Sequence, residues 1–204
     1  MRASSNLVAR LGGVAAMVGG VLWSAKAFHD RNDAPPWPTD ATDILFFIVP
    51  LLFLAGFLGL YARSRGSLQD EWRTISSGAF AVGAVGLVGS IIGLLTMALE
   101  AGPSWWVDAS WMMFVFGFFA GNLGLVFFGT SVLQDGALPR WTGLPIVTGT
   151  LGILLILIGD PPNSELGVYP ALALWMLYGL AWTGLGYVAF AEDKSPVGSV
   201  AGIS

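Results

Sequence analysis

Few side chains in this sequence can do chemistry, and they fall into two groups. His29 is the single histidine in 204 residues, and cysteine is absent. That excludes a multi-histidine or thiolate metal centre, a cysteine nucleophile and a relay between histidines. Near His29 stand Asp30, Asp33, Asp40 and Asp43, while Glu100 and Asp108 occupy matching ends of later apolar stretches. Carboxylates gathered on one face could hold a hard cation such as Ca²⁺, and with His29 they are the least a membrane enzyme would need. Their spacing matches no calcium loop, and two of them have a plainer role. Asp43 and Asp108 each precede an apolar run, where a carboxylate caps free backbone N–H groups and meets the positive end of the helix dipole. Solvated loop acids account for the rest. The reading expects no catalytic residue, no metal and no cofactor.

The second group is a single residue. Asn122 lies in the middle of Ala109 to Gln134, 26 residues without a charge. At about 1.5 Å per residue this run exceeds the ~30 Å hydrocarbon core of a bilayer. An amide there is costly unless paired, so Asn122 is expected inside a helix bundle, hydrogen-bonded across helices. Thr96 and Thr148 are its candidate partners by residue type. Its role is structural, or it lines a pathway. No Asp, Glu or His stands at such a depth, which argues against proton-coupled transport and against intramembrane proteolysis by paired acids.

The elements that must position these residues follow from composition. Apolar residues make up 55% of the chain and charged ones 11%, with mean hydropathy +0.73. The fold class is all-α, a bundle of six transmembrane helices in one domain over 1–204. The spans cover about 7–28, 44–62, 74–99, 109–134, 141–159 and 167–191. Arg10 and Lys26 bound the first apolar run and can snorkel to the two interfaces. A cleaved leader ending at Ala25-Lys26-Ala27 is the rival reading there. Pro35, Pro36 and Pro38 break the following loop, and Pro50 predicts a kink in the second span.

Charge sets the orientation. With both termini cytoplasmic, Arg2, Arg10, Arg63, Arg65, Arg73, Arg140 and Lys194 lie inside and only Lys26 and Arg31 outside. Trp37, Trp105, Trp106 and Trp111 then mark the outer membrane edge, and Trp72 and Trp141 the inner one. With a net charge of −4 and no basic run, nucleic acid is excluded as a partner. The partner is the lipid bilayer of the cell membrane, with another membrane protein as a possible second.

An echo runs through the chain. Ala55-Gly56-Phe57-Leu58-Gly59-Leu60 returns 65 residues later as Ala120-Gly121-Asn122-Leu123-Gly124-Leu125. Leu68-Gln69-Asp70 likewise returns as Leu133-Gln134-Asp135, and Gly13 pairs with Gly78 and Gly143. The expectation is two or three repeated helical hairpins. Small residues four apart, Gly117 with Gly121, Ala120 with Gly124, Gly89 with Gly93 and Ala55 with Gly59, mark close helix packing. Because they sit on several helices, contacts within one bundle are favoured over a homodimer seam.

Gly136-Ala137-Leu138-Pro139-Arg140-Trp141 resembles the Gly-x-Leu-Pro-Arg-Trp turn of many small prokaryotic multi-spanning membrane proteins with no established activity. The resemblance covers the second to fifth spans and carries over no catalytic residue. Taken together, the sequence reads as an integral membrane protein acting as a non-catalytic interaction, assembly or accessory subunit. The alternative is a small-solute or ion pathway along the hairpin axis. A third reading is a membrane enzyme using the outer acids and His29.

Overall fold

The computed structural model describes residues 2–29, 41–66, 68–98, 104–136, 143–158 and 167–191. They form six helices, α1 (Arg2–His29), α2 (Ala41–Ser64), α3 (Asp70–Ala98), α4 (Ser104–Asp135), α5 (Leu144–Ile158) and α6 (Val168–Phe190). No strand occurs among the described residues. The helix ends follow local chemistry. Asp70 and Glu71 open α3 at the positive end of its dipole. Gly136 closes α4 with φ 70°, the left-handed conformation that glycine enters without steric cost.

Among the described residues, four helices are long and apolar enough to cross a bilayer, over Asn6–Ala27, Asp70–Thr96, Asp108–Asp135 and Val168–Phe190. The apolar stretches Ile48–Ser64 of α2 and Leu144–Ile158 of α5 are shorter. The 15 residues of α5 rise only about 22 Å. Pro50 lies within α2 and is buried there.

Each helix packs on the next, and α6 returns to pack on α1, closing a ring in which α2 and α6 also touch. Glycine makes the closest approaches. A Cβ on Gly86 of α3 would stand 2.6 Å from the Gly117 carbonyl of α4, and one on Gly93 would stand 2.6 Å from the Phe114 amide. Gly121 and Gly124 lie against Gly83 of α3, and a Cβ on Gly89 would stand 3.7 Å from the Gly117 Cα. Gly59 of α2 rests on Ala9 and Gly12 of α1, and Gly13 and Gly20 of α1 meet Gly186 and Gly179 of α6. Backbones this close gain dispersion contacts that lipid does not improve on.

The helix pairs are not three equal hairpins. The broad contacts are α3 with α4 and α1 with both α2 and α6, whereas α5 and α6 touch only slightly. Gly59 sits on Gly12, but Gly124, its counterpart, sits on Gly83 and not on Ser77. The second pair has slipped by six residues, about 9 Å of rise. Asp70 begins α3 while Asp135 ends α4, so that part of the echo lies in unlike local structure. Gly13 is packed, whereas Gly78 and Gly143 face open space.

The exterior is apolar. Leu7, Leu11, Val14, Val18 and Val21 line the outer face of α1, and Ile75, Val82, Val85 and Ile92 that of α3. Arginines gather at one end of the bundle. Arg10 lies 5.5 Å over the Phe190 ring, Arg63 donates to the Ala189 carbonyl at 3.3 Å and to that of Ala191, and Arg65 lies 5.9 Å from the Tyr61 ring. Arg73 donates to the Leu68 carbonyl at 2.8 Å, and the Gln69 amide donates to Asp135 at 3.2 Å.

Candidate functional site

Asn122 is 2% exposed, at the junction of α4, α5 and α6. Its Nδ2 donates to the Phe118 carbonyl one turn back at 2.9 Å, and its Oδ1 accepts from the Tyr178 hydroxyl at 3.1 Å. Gly152 of α5 seats against the amide so tightly that a Cβ there would collide with it. The partner is therefore Tyr178 of α6. Thr96 and Thr148 turn their hydroxyls to carbonyls of their own helices, Ile92 at 2.9 Å and Leu144 at 2.8 Å.

The pair is set in aromatic rings. Trp23 of α1 stacks on Trp175 at 4.8 Å and on Phe118 at 5.9 Å, and meets Tyr178 edge-on at 5.3 Å. Phe53 of α2 stacks on Trp182 at 4.3 Å and meets Tyr178 edge-on at 5.7 Å. Such pairs contribute about 0.5–1.5 kcal/mol each beyond area burial. The arrangement draws α1, α2, α4 and α6 onto one centre. Trp175, Tyr178 and Trp182 follow the i, i+3, i+7 spacing of one helix face, the signal from which this cluster could have been read.

Other buried hydroxyls behave alike. Ser90 of α3 donates to the Phe114 carbonyl of α4 at 3.1 Å, and Ser131 donates to Phe128 at 2.7 Å. Ser76 is buried without a hydrogen bond. Chemically, an amide and a phenol among aromatic rings can orient and join helices, and they supply no ready proton acceptor or nucleophile.

The outer acids are mostly out of view. The side chains of His29 and Asp43, and Glu100 as a whole, lie outside the described residues, as do 137–141 of the Gly-x-Leu-Pro-Arg-Trp turn beyond Gly136. Asp108 is exposed near the start of α4, one turn from Trp105. Trp105 and Trp106 are also exposed and meet edge-on at 5.7 Å. Among the described residues no three acidic or histidine side chains gather as a metal site would need.

No family model, curated protein or solved structure matches this chain.

Proposed function

We propose that the chain is a multi-pass protein of the cell membrane, with six spans and both termini cytoplasmic, serving without catalysis as an interaction, assembly or accessory subunit. Four helices of spanning length with apolar outer faces support the membrane setting. The arginine-bearing end is assigned to the cytoplasm by the positive-inside rule. The apolar stretch of α2 crosses together with the helical residues before it, and α5 is the shortest of the six spans.

The observation that carries the role is the Asn122–Tyr178 bond. The mid-depth amide is satisfied by the bundle itself, with Gly152 closed over it and aromatic rings around it. A solute pathway would need polar groups facing open space, and the centre of this bundle holds Phe57, Phe128, Tyr178 and Trp182 instead. The purified protein in vesicles tests the reading with Asn122→Leu. Lower thermal stability with no flux in either protein is the expected result. Flux in the native protein, changed in Asn122→Leu at unchanged stability, would overturn it in favour of a pathway.

A further inference from the structure

The six helices fall into two sets of three by what holds them together. Within α1, α2 and α6 backbones meet directly, Gly12 on Gly59, Gly13 on Gly186 and Gly20 on Gly179. Within α3, α4 and α5 the same holds for Gly86 on Gly117, Gly83 on Gly124 and Gly129 on Ile146. Among the described residues no glycine makes such a backbone approach from one set to the other. The sets meet through side chains. Phe57 meets Phe80 and Phe128 edge-on at 5.1 Å and 5.4 Å, Tyr61 stacks on Phe80 at 4.3 Å, and Trp23 stacks on Phe118 at 5.9 Å. Two hydrogen bonds cross this seam, Tyr61 with Ser77 at 2.8 Å and Tyr178 with Asn122 at 3.1 Å.

The seam is uneven along its length. At the arginine-bearing end the turn from α2 to α3 is tied to both sets. There the Leu68 amide donates to the Ser64 carbonyl at 3.3 Å and the Gln69 amide to Asp135 of α4 at 3.2 Å, and the Leu68 side chain is buried in the main core. Toward the other end that core stops, and Leu94 and Phe114, with Val115, form a small cluster of their own on α3 and α4. Lipid tails are as apolar as the rings, so parting the seam carries no hydrophobic penalty, and packing and the two hydrogen bonds resist it. Close backbone packing makes each set move as a body. We propose that α3, α4 and α5 pivot together against α1, α2 and α6 about the α2–α3 turn. The seam opens at the end away from the arginines, and the Tyr178–Asn122 bond is the latch that holds it shut. A partner that fits one form better shifts the balance toward it. The inference goes beyond the assembly reading and rests only on the membrane setting.

The chain has no cysteine, which makes paired spin labels direct, and every site chosen is exposed. In vesicles, Tyr169→Cys with Asp108→Cys spans the seam at the opening end, and Tyr187→Cys with Leu133→Cys spans it at the pivot end. Tyr169→Cys with Ala25→Cys, and Leu95→Cys with Asp108→Cys, each stay within one set. The expected result is two distances for the first pair and one for each of the other three. Tyr178→Phe should raise the share of the longer distance severalfold, because it releases the latch. The within-set pairs report that this variant still folds. A single distance for the first pair, equal broadening in all four, or an unchanged distribution in Tyr178→Phe would overturn the pivot. Resistance to alkaline extraction reports membrane insertion separately, so failure of the pivot and failure of the membrane reading remain distinct.

Discussion

Asn122 on α4 and Tyr178 on α6, 56 positions apart, share a hydrogen bond of 3.1 Å at the centre of the bundle. The backbones of the two helices otherwise stay apart, and Phe118 of α4 meets the Tyr178 ring edge-on at 5.7 Å. The bond thus joins elements that backbone packing alone leaves apart. Removing the phenol hydroxyl with Tyr178→Phe leaves Oδ1 without its donor, at a cost of about 0.6–1.7 kcal/mol, and Asn122→Leu should cost about 0.6–2 kcal/mol. The double variant should lose less than the sum, because either change breaks the same bond. Unfolding in mixed micelles reads all three, and strict additivity would show that the two side chains do not act together.

Glycines separate by what faces them. Gly152→Ala drives a methyl into the Asn122 amide, and Gly86→Ala drives one into the α4 backbone, so each should destabilise by about 1–3 kcal/mol. Gly78→Ala meets open space and should be neutral or gain up to about 1 kcal/mol from helix propensity. Thermal melts of the three variants check the ranking.

The limits of sequence reasoning show at these same residues. Six helices were legible because polar and proline-bearing segments interrupt the apolar runs. An amide in an uncharged run demands a partner whatever the fold. Which group answers it depends on the packing, and Tyr178 lies on the last helix. Glycine spacing announces that a helix has a close neighbour and does not say which. Gly13 and Gly20 thus gave no hint that α1 closes on α6 through Gly186 and Gly179. The 65-residue echo is present in the words, but packing depends on register, and a slip of six residues places Gly124 on Gly83.

Arg63 reaches from α2 to the carbonyls of Ala189 and Ala191, two of the acceptors that the last turn of α6 leaves unpaired. Arg63→Gln should speed amide hydrogen exchange over residues 187–191 while leaving the middle of α6 protected. Arg63→Lys should restore much of the protection, because both bonds come from one guanidinium nitrogen and an ammonium with three N–H donors can serve the same two carbonyls. Unchanged exchange in Arg63→Gln would mean that the contact does not hold the helix end.

The most direct test of the account is the side of the membrane on which each end of the bundle lies. Gly66 and Asp108 are exposed near opposite ends, and the chain brings no cysteine of its own. Each is replaced singly by cysteine and treated in intact cells with a membrane-impermeant maleimide, then again after permeabilisation. The account predicts that Asp108→Cys reacts in intact cells and that Gly66→Cys reacts only once the membrane is opened. Reaction of Gly66→Cys from outside, or of both from the same side, would contradict it.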